Sequence, residues 1–395
     1  MCEKDRVHME VQFEEWAFNK LDEIMNKLDD GTLFREENEK LIKKILFEEQ
    51  RKMYLKSREI KKCICPNCNN KSIKKSHTIP RKMTLDRIAD NKKVVTPIFV
   101  EKYPVGEYYI GTTEIGIGQA STFPGFCNKH EMLFQTYEKK EKINTREDII
   151  KQLYRNIAYN QFIFEKRIEL NERITERYRE ARTQAAYNYL KPLAPQGLVK
   201  EVKISGDDKK IKTMIYKRRE LIDFVSKLDK YKINLWKAIK GEDTDITSSS
   251  VILDVVIPVG VCGCTEIILN GKEYLCSVDV IPNDEQTLVT IGFCEEIPLE
   301  LQKVVESRLN HPLAILDFIE ATMIYGTDNW YLNPKVWNIL GKNRKDKLLY
   351  EMQELKKSIF CEVPYSIFDD IRRNMLDKLY LSQKDKEHEL EKLKI

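Results

Sequence analysis

The chain has 395 residues and a mass of 46.6 kDa, so at about 150 residues per domain it holds two or three cores and is not a single small module. Hydrophobic residues make up 42% and charged residues 33%, with 18 Tyr and 15 Phe, which excludes wholesale disorder. The net charge of +4 points to no partner by itself.

Apolar runs such as Val251 to Val261 are broken by Asp254 and Pro258 and fall short of the ~20 residues that cross a bilayer, so no membrane association is expected. The opening residues Met1-Cys2-Glu3-Lys4-Asp5-Arg6 lack the basic and then apolar order of an export signal, and a cytoplasmic location is expected. In that reducing compartment the ten cysteines are not expected to form a disulfide framework. Cys2, Cys276, Cys294 and Cys361 stand outside any close pair and are expected as small buried side chains.

The apolar residues Phe13, Trp16, Ala17, Leu21, Ile24, Met25 and Leu28 recur at helical steps. Asp30-Gly31 breaks the pattern before a second helix from about 35 to 61, so residues 1–62 are expected to form an antiparallel helical pair. Residues 63–142 change texture to Cys, Gly, Pro and β-branched side chains, with strands expected near 94–100 and 107–113. Thr145-Arg146-Glu147-Asp148 has the form of a capping box opening a helix of about forty residues that Pro192 and Pro195 end. With a second helix near 217–239, this makes 143–245 a helical connector.

Residues 246–395 read as an α+β domain of unknown role. A single strand is expected over 251–261, followed by a hairpin turning at Asn270-Gly271, a strand over 287–294 and several short helices. Gly116-Ile117-Gly118 lacks the third glycine of a dinucleotide loop and is expected as a hairpin bend. Cys262-Gly263-Cys264 has a poor spacing for zinc and is expected as buried thiols at a sheet end. Asp328-Asn329-Trp330 and Trp337 are expected to cap and pack between helices.

Chemistry gathers in two segments. Cys65-Pro66-Asn67-Cys68 forms a knuckle, because two intervening residues let a tight turn aim both sulfurs at one point. Cys127 and His130 sit three residues apart, where the first turn of a helix brings both side chains to one face. Cys65, Cys68, Cys127 and His130 thus supply a closed tetrahedral Zn²⁺ site, structural in kind, with Cys63 as a competing ligand. From Arg51 to Lys82 there are eleven cations against one anion, so the basic charge is concentrated around the knuckle. The window reads either as a solvated helix end or as a nucleic-acid surface, with Lys71, Lys74, Lys75, Arg81 and Lys82 the cations around Ser76-His77-Thr78-Ile79-Pro80.

The order of Cys-x-x-Cys, a His followed by Ile and Pro, and Cys-x-x-His on a closing helix resembles the zinc-containing HNH (ββα-metal, treble-clef) nucleases. It is also similar to a group of bacterial HNH-like proteins associated with defence against phage. The resemblance covers roughly residues 63–134 and implies that His77 is the general base, near its ordinary pKa of about 6.5. By the same resemblance Glu131 would be a ligand for Mg²⁺ or Mn²⁺. Ser76 stands where the family has an acidic ligand, and Gln119 or Ser121 is nearest to the family's base-orienting Asn.

The residues alone leave His77 open as a base, a structural hydrogen-bonding group or a zinc ligand, and Glu131 open as a ligand or a solvated carboxylate. The expected function is a metal-dependent endonuclease acting on DNA or RNA. The alternative is a non-catalytic zinc-stapled nucleic-acid-binding or assembly module, open to a regulatory protein or to self-association.

Overall fold

A computed structural model describes residues 61–395 apart from 102–107, 193–200, 205, 355–356 and 395, together with Glu23, Asn26 and Glu49. The expected N-terminal helical pair lies almost wholly outside the described residues.

The cysteine-containing segment begins with a tight hairpin. Lys62 bridges Lys71, the Cys63 amide bonds the Asn70 carbonyl at 2.8 Å, and Asn67 takes the left-handed conformation (φ 60°) that lets the chain reverse at its tip. Next come β1 (Ser76–His77), a wide π-type turn at Arg81–Leu85, β2 (Lys93–Glu101), β3 (Tyr108–Gly116) and β4 (Thr122–Phe123). Two short helices, α1 (Asn128–Glu131) and α2 (Gln135–Glu138), complete the segment. β1 pairs antiparallel with β4, placing Ser76 opposite Phe123 and His77 opposite Thr122.

Of the expected capping box the N-cap half forms: the Thr145 hydroxyl accepts the Asp148 amide at 3.1 Å, while Asp148 Oδ2 has no hydrogen-bond partner. It opens α3 (Arg146–Leu190), which stops just before the two prolines, and α4 (Lys209–Ile239) follows. The expected single strand over 251–261 is two: β5 (Thr247–Leu253) and β6 (Val259–Leu269). Pro258 has no amide to donate to a ladder, and the chain bends between Asp254 and Pro258 before it can pair again. Asn270 (φ 51°) and Gly271 (φ 78°) turn β6 into β7 (Lys272–Pro282), as a tight hairpin requires.

β8 (Thr287–Phe293), α5 (Leu299–Leu309), α6 (Pro312–Ala321) and β9 (Trp330–Leu332) lead to four further helices. These are α7 (Pro334–Ile339), α8 (Lys342–Glu354), α9 (Asp369–Lys378) and α10 (Gln383–Glu391). The protein is of mixed α+β class.

Seven strands form one sheet in the order β3-β2-β9-β6-β7-β8-β5, so strands of the knuckle segment extend the C-terminal sheet. Along β6, β7 and β8 successive side chains serve opposite cores. Val259, Val261, Val278, Val280, Val289 and Ile291 face the C-terminal helices, whereas Cys262, Cys264, Leu275, Ile281 and Leu288 face the aromatic core of Phe123, Phe126, Tyr154 and Tyr231. Gly292 permits the close approach there, since a Cβ would lie 2.7 Å from the Tyr231 hydroxyl and 2.8 Å from Leu153 Cδ1.

This shared sheet explains why the expected boundaries at 62, 142 and 245 do not separate compact bodies. The chain divides into a larger unit of Leu55–Val100, Tyr108–Phe164 and Phe224–Ile395, and a smaller one of Met1–Tyr54, Glu101–Glu107 and Glu165–Asp223. In the smaller unit Ile174, Tyr178 and Ile211 form a core between α3 and α4.

Within the larger unit the C-terminal helices are joined by a buried ion network. Arg372 is 0% exposed and reaches Asp317 at 2.9 Å, Glu320 at 2.6 Å and also Glu389, while Lys392 lies 3.0 Å from Asp317 and 2.9 Å from Glu389. Removing one partner of such a network leaves buried charge uncompensated. Arg372→Met is therefore expected to lower the unfolding free energy by about 3–5 kcal/mol, read from the midpoint of a urea titration. A loss under about 1 kcal/mol would mean that the network contributes little.

Candidate metal centre and adjoining cleft

Cys63, Cys68, Cys127 and His130 bring their ligating atoms within 4.8 Å of one another. Cys63 and Cys68 come from the two sides of the knuckle hairpin. Cys127 stands at the start of α1, where its carbonyl accepts the amides of His130 and Glu131, and His130 lies one turn on. The measured edges are 3.3 Å from Cys63 Sγ to His130 Nδ1, 3.5 Å from Cys127 Sγ to the same nitrogen, and 3.9 Å from Cys68 Sγ to Cys127 Sγ. A tetrahedral Zn²⁺ ion with Zn–S of about 2.3 Å and Zn–N of about 2.0 Å has sulfur–sulfur edges of about 3.8 Å and sulfur–nitrogen edges of about 3.5 Å. The donor set fits zinc in chemistry and in size.

The ligand set differs from the expected one at a single position: Cys63 takes the place assigned to Cys65. Cys65 is buried away from the cluster centre, accepts a hydrogen bond from the Tyr154 hydroxyl at 3.5 Å, and has its thiol pushed far up by its bond to Cys63 and by burial. Cys63 is pulled down to about 4, first by that same Cys65 bond. Cys65 is thus a hydrogen-bonding neighbour of Cys63 and stands outside the ligand cluster. The Cys127 amide also donates to Cys63 Sγ at 3.4 Å. Trp236 packs edge-on against the His130 ring at 5.7 Å.

Next to the cluster lies a cleft of about 650 Å³ lined by His77 and Glu131. Of the five cations singled out in the sequence, Lys75, Arg81 and Lys82 line it; Lys71 and Lys74 are exposed elsewhere. Lys139 and Arg155 add positive charge that the sequence did not flag. Arg155 escaped notice because it sits in the regular pattern of α3, and only the fold carries it to the cleft. Lys75 Nζ bonds the Gly118 carbonyl at 2.9 Å, Lys82 pairs with Glu141, and Arg81 lies 3.9 Å from Asp86.

His77 Nε2 lies 3.3 Å from the Ile117 carbonyl, which only accepts, so Nε2 carries the proton and Nδ1 is the basic nitrogen. The ring is thus oriented by a backbone carbonyl, and the Ser121 hydroxyl accepts the Ile79 amide at 3.2 Å. Burial, and then the positive charge of Arg155, lower the His77 pKa to about 4.

Arg155 is 2% exposed, stacks over Phe134 at 4.5 Å, and pairs with Glu138 at 2.6 Å and Glu131 at 3.3 Å. Burial raises the Glu131 pKa against the pull of Arg155, and Glu131 Oε1 has no hydrogen-bond partner. Glu131 therefore faces a guanidinium. With Ser76 beside it in place of a second carboxylate, the residues as placed do not fit Mg²⁺ or Mn²⁺, which bind through clustered hard oxygens.

The cleft is held from below by α3. Gln152 Nε2 donates to the Thr78 carbonyl at 3.2 Å and to Asp279 Oδ1 at 3.0 Å, and Tyr137 donates to Gln152 Oε1 at 3.0 Å. Asn156 and the Cys262 thiol also donate to Asp279, at 3.1 and 2.9 Å. Burial still raises the Asp279 pKa to about 6. Cys262 and Cys264 are buried thiols, as expected, but inside β6 and not at a sheet end, and Trp330 lies in β9 and not between helices, buried with its indole bonded to the Met323 carbonyl at 3.0 Å.

One other donor cluster occurs among the described residues, Glu362, His388 and Glu389, but Lys392 Nζ already lies 2.6 Å from Glu362 and 2.9 Å from Glu389. No helix among the described residues is long and apolar enough to cross a membrane. No protein family, curated protein or solved structure matches the chain.

Zinc content separates the two ligand sets. Purified wild type and Cys65→Ser are expected to carry about one equivalent by elemental analysis, and Cys63→Ser, Cys68→Ser and Cys127→Ser much less. The reverse pattern, with zinc lost from Cys65→Ser and kept by Cys63→Ser, would restore the knuckle pairing expected from the sequence. Stripping zinc with a chelator is expected to lower the melting temperature, because binding and folding are coupled in such sites.

Proposed function

We propose that this chain is an HNH-like nuclease whose zinc-stapled, treble-clef-like segment presents His77 to a phosphodiester. The observation that carries the reading is the His77 imidazole, held by the Ile117 carbonyl in a cleft lined by Lys75, Arg81, Lys82, Lys139 and Arg155. His77 Nδ1 takes a proton from the attacking water as its oxygen bonds to phosphorus, the ester bond to the leaving sugar oxygen breaks, and that oxygen takes a proton from solvent, while Lys75, Arg81, Lys82 and Lys139 bind the phosphate and offset its developing charge. Zinc, held by Cys63, Cys68, Cys127 and His130, supplies structural support. DNA and RNA both present the backbone that such a cleft recognises, and phosphate contacts do not distinguish sequence. The likeness in the zinc segment extends the proposal to a cytoplasmic role in defence against phage.

A second reading is favoured by the Arg155–Glu131 pair: a nucleic-acid-binding or assembly module that lacks a hydrolytic ion, with a regulatory protein or a second copy as partner. Plasmid and single-stranded substrates, with Mg²⁺, Mn²⁺ or chelator present, separate the two. On the nuclease reading wild type cuts, and His77→Ala loses about a hundredfold or more in rate while retaining its zinc. Binding by both proteins, with steep salt dependence and no cleavage under any ion, would leave the module reading standing.

The pH profile gives a further test. With His77 titrating at about 4, cleavage is expected to stay level from pH 8 to pH 6 and to fall only near pH 4. A fall centred near the ordinary histidine value of about 6.5 would remove His77 from the role of base. The folded state also binds fewer protons at His77 than the unfolded chain between about 4 and 6.5, so this residue's share of stability is lost as pH falls through that window.

A further inference from the structure

The smaller unit carries a second basic surface, distinct in sequence from the cleft. From Lys209 to Arg219, the first third of α4, there are six cations and no anion. Two are engaged: Arg218 lies 3.4 Å from Glu172, and Lys210 sits over the Tyr178 ring at 5.4 Å. Lys209, Lys212, Lys217 and Arg219 are exposed and make no ion pair among the described residues. Their placement runs against the helix. The first turns of an α-helix present the positive end of its dipole, where cations are unfavourable and carboxylates are preferred. Asp208 supplies the cap, accepting the Ile211 amide at 2.8 Å, yet Lys209, Lys210 and Lys212 crowd the same turn.

The cations share their face with an aromatic ring. Lys209, Lys212, Thr213 and Tyr216 line one shallow concavity of about 490 Å³, as positions three, four and seven residues apart on a helix must. Tyr216 is 62% exposed, so its ring is open to solvent. Its hydroxyl bonds Glu220, which anchors the edge of the ring and leaves its face open. The opposite side of the helix is spent on packing, through Ile211, Met214 and Ile215. Of the carboxylates near the stripe, Asp207 is held by Arg179 at 2.8 Å, Asp208 by the Ile211 amide and Glu172 by Arg218.

We infer that this stripe binds single-stranded nucleic acid, the cations following the phosphates while a base stacks on Tyr216. Unpaired cations give charge complementarity to a polyanion. An exposed ring among them adds what a single strand can use and a duplex cannot, an accessible base face. The surface belongs to α4 and is independent of the chemistry at His77.

The test uses the full-length protein and fluorescently labelled 20-mers of dT and of rU, read by anisotropy across a salt series. The triple charge reversal Lys209→Glu, Lys212→Glu and Arg219→Glu is expected to weaken binding at least tenfold at about 0.1 M salt. It should also flatten the slope of log affinity against log salt by about 2, at roughly 0.7 per phosphate contact on a single strand. Tyr216→Ala is expected to cost about tenfold at an unchanged slope, and Tyr216→Phe to bind as wild type. The Tyr216 effect should persist in Arg81→Glu, Lys82→Glu protein, in which the cleft is impaired. Helical circular dichroism of the variants guards against unfolding as the cause.

Affinity unchanged in both the charge-reversed and the Tyr216→Ala proteins would overturn the proposal, as would an absence of oligonucleotide binding at low salt. If the charge reversal instead abolishes binding to phosphatidylserine vesicles while oligonucleotide binding is retained, the stripe serves a membrane surface and the proposal is likewise wrong.

Discussion

Three sulfurs and an imidazole nitrogen gathered within 4.8 Å are a liability unless a cation lies between them. Thiolates repel at that distance, and protonated thiols would forfeit the short contacts that unite a hairpin at residues 61–72 with a one-turn helix at 128–131. The segments around His77 inherit their positions from this convergence. The Ile64 amide bonds the Gly125 carbonyl at 2.9 Å and the Ile73 amide bonds the Phe126 carbonyl at 2.7 Å, so the hairpin sits against the strand entering α1. Cys65 serves the centre from outside it, through its bonds to Cys63 and Tyr154.

The second constraint is the polar seam between α3 and the sheet. Asp279 is 1% exposed and accepts from Gln152, Asn156 and Cys262, while Asn160 accepts from Asn329 at 3.0 Å. A wholly apolar interface would tolerate a small rotation of the helix; this one penalises it with unpaired buried donors. Because Gln152 also holds the Thr78 carbonyl, one residue beyond His77, the seam fixes the backbone at the cleft.

Much of the local structure was legible in the sequence. Cys127-x-x-His130 marked the closing turn, Thr145 and Asp148 the start of α3, the prolines its end, and Asn270-Gly271 the hairpin, because each is a short-range rule of backbone chemistry. What escaped were the long-range choices. Cys63 and Cys65 lie two residues apart in one hairpin, and the spacing alone does not show that Cys63 joins the cluster while Cys65 bonds Tyr154. Arg155, Gln152 and Asn156 look like the polar residues of an ordinary helix until the sheet covers them. The strands at 93–101 and 108–116 were expected inside the zinc segment, but strand pairing across more than two hundred residues leaves no local signature.

The order of the sheet leaves β5 at one rim, paired only with β8. A rim strand carries a row of unpaired amides and carbonyls, an invitation to further strands. Here the rim begins Thr247-Ser248-Ser249-Ser250, short hydroxyl side chains that keep water close, and it stops at Asp254 ahead of a proline. The charge and the proline that end this rim limit how far a neighbouring chain could pair along that border.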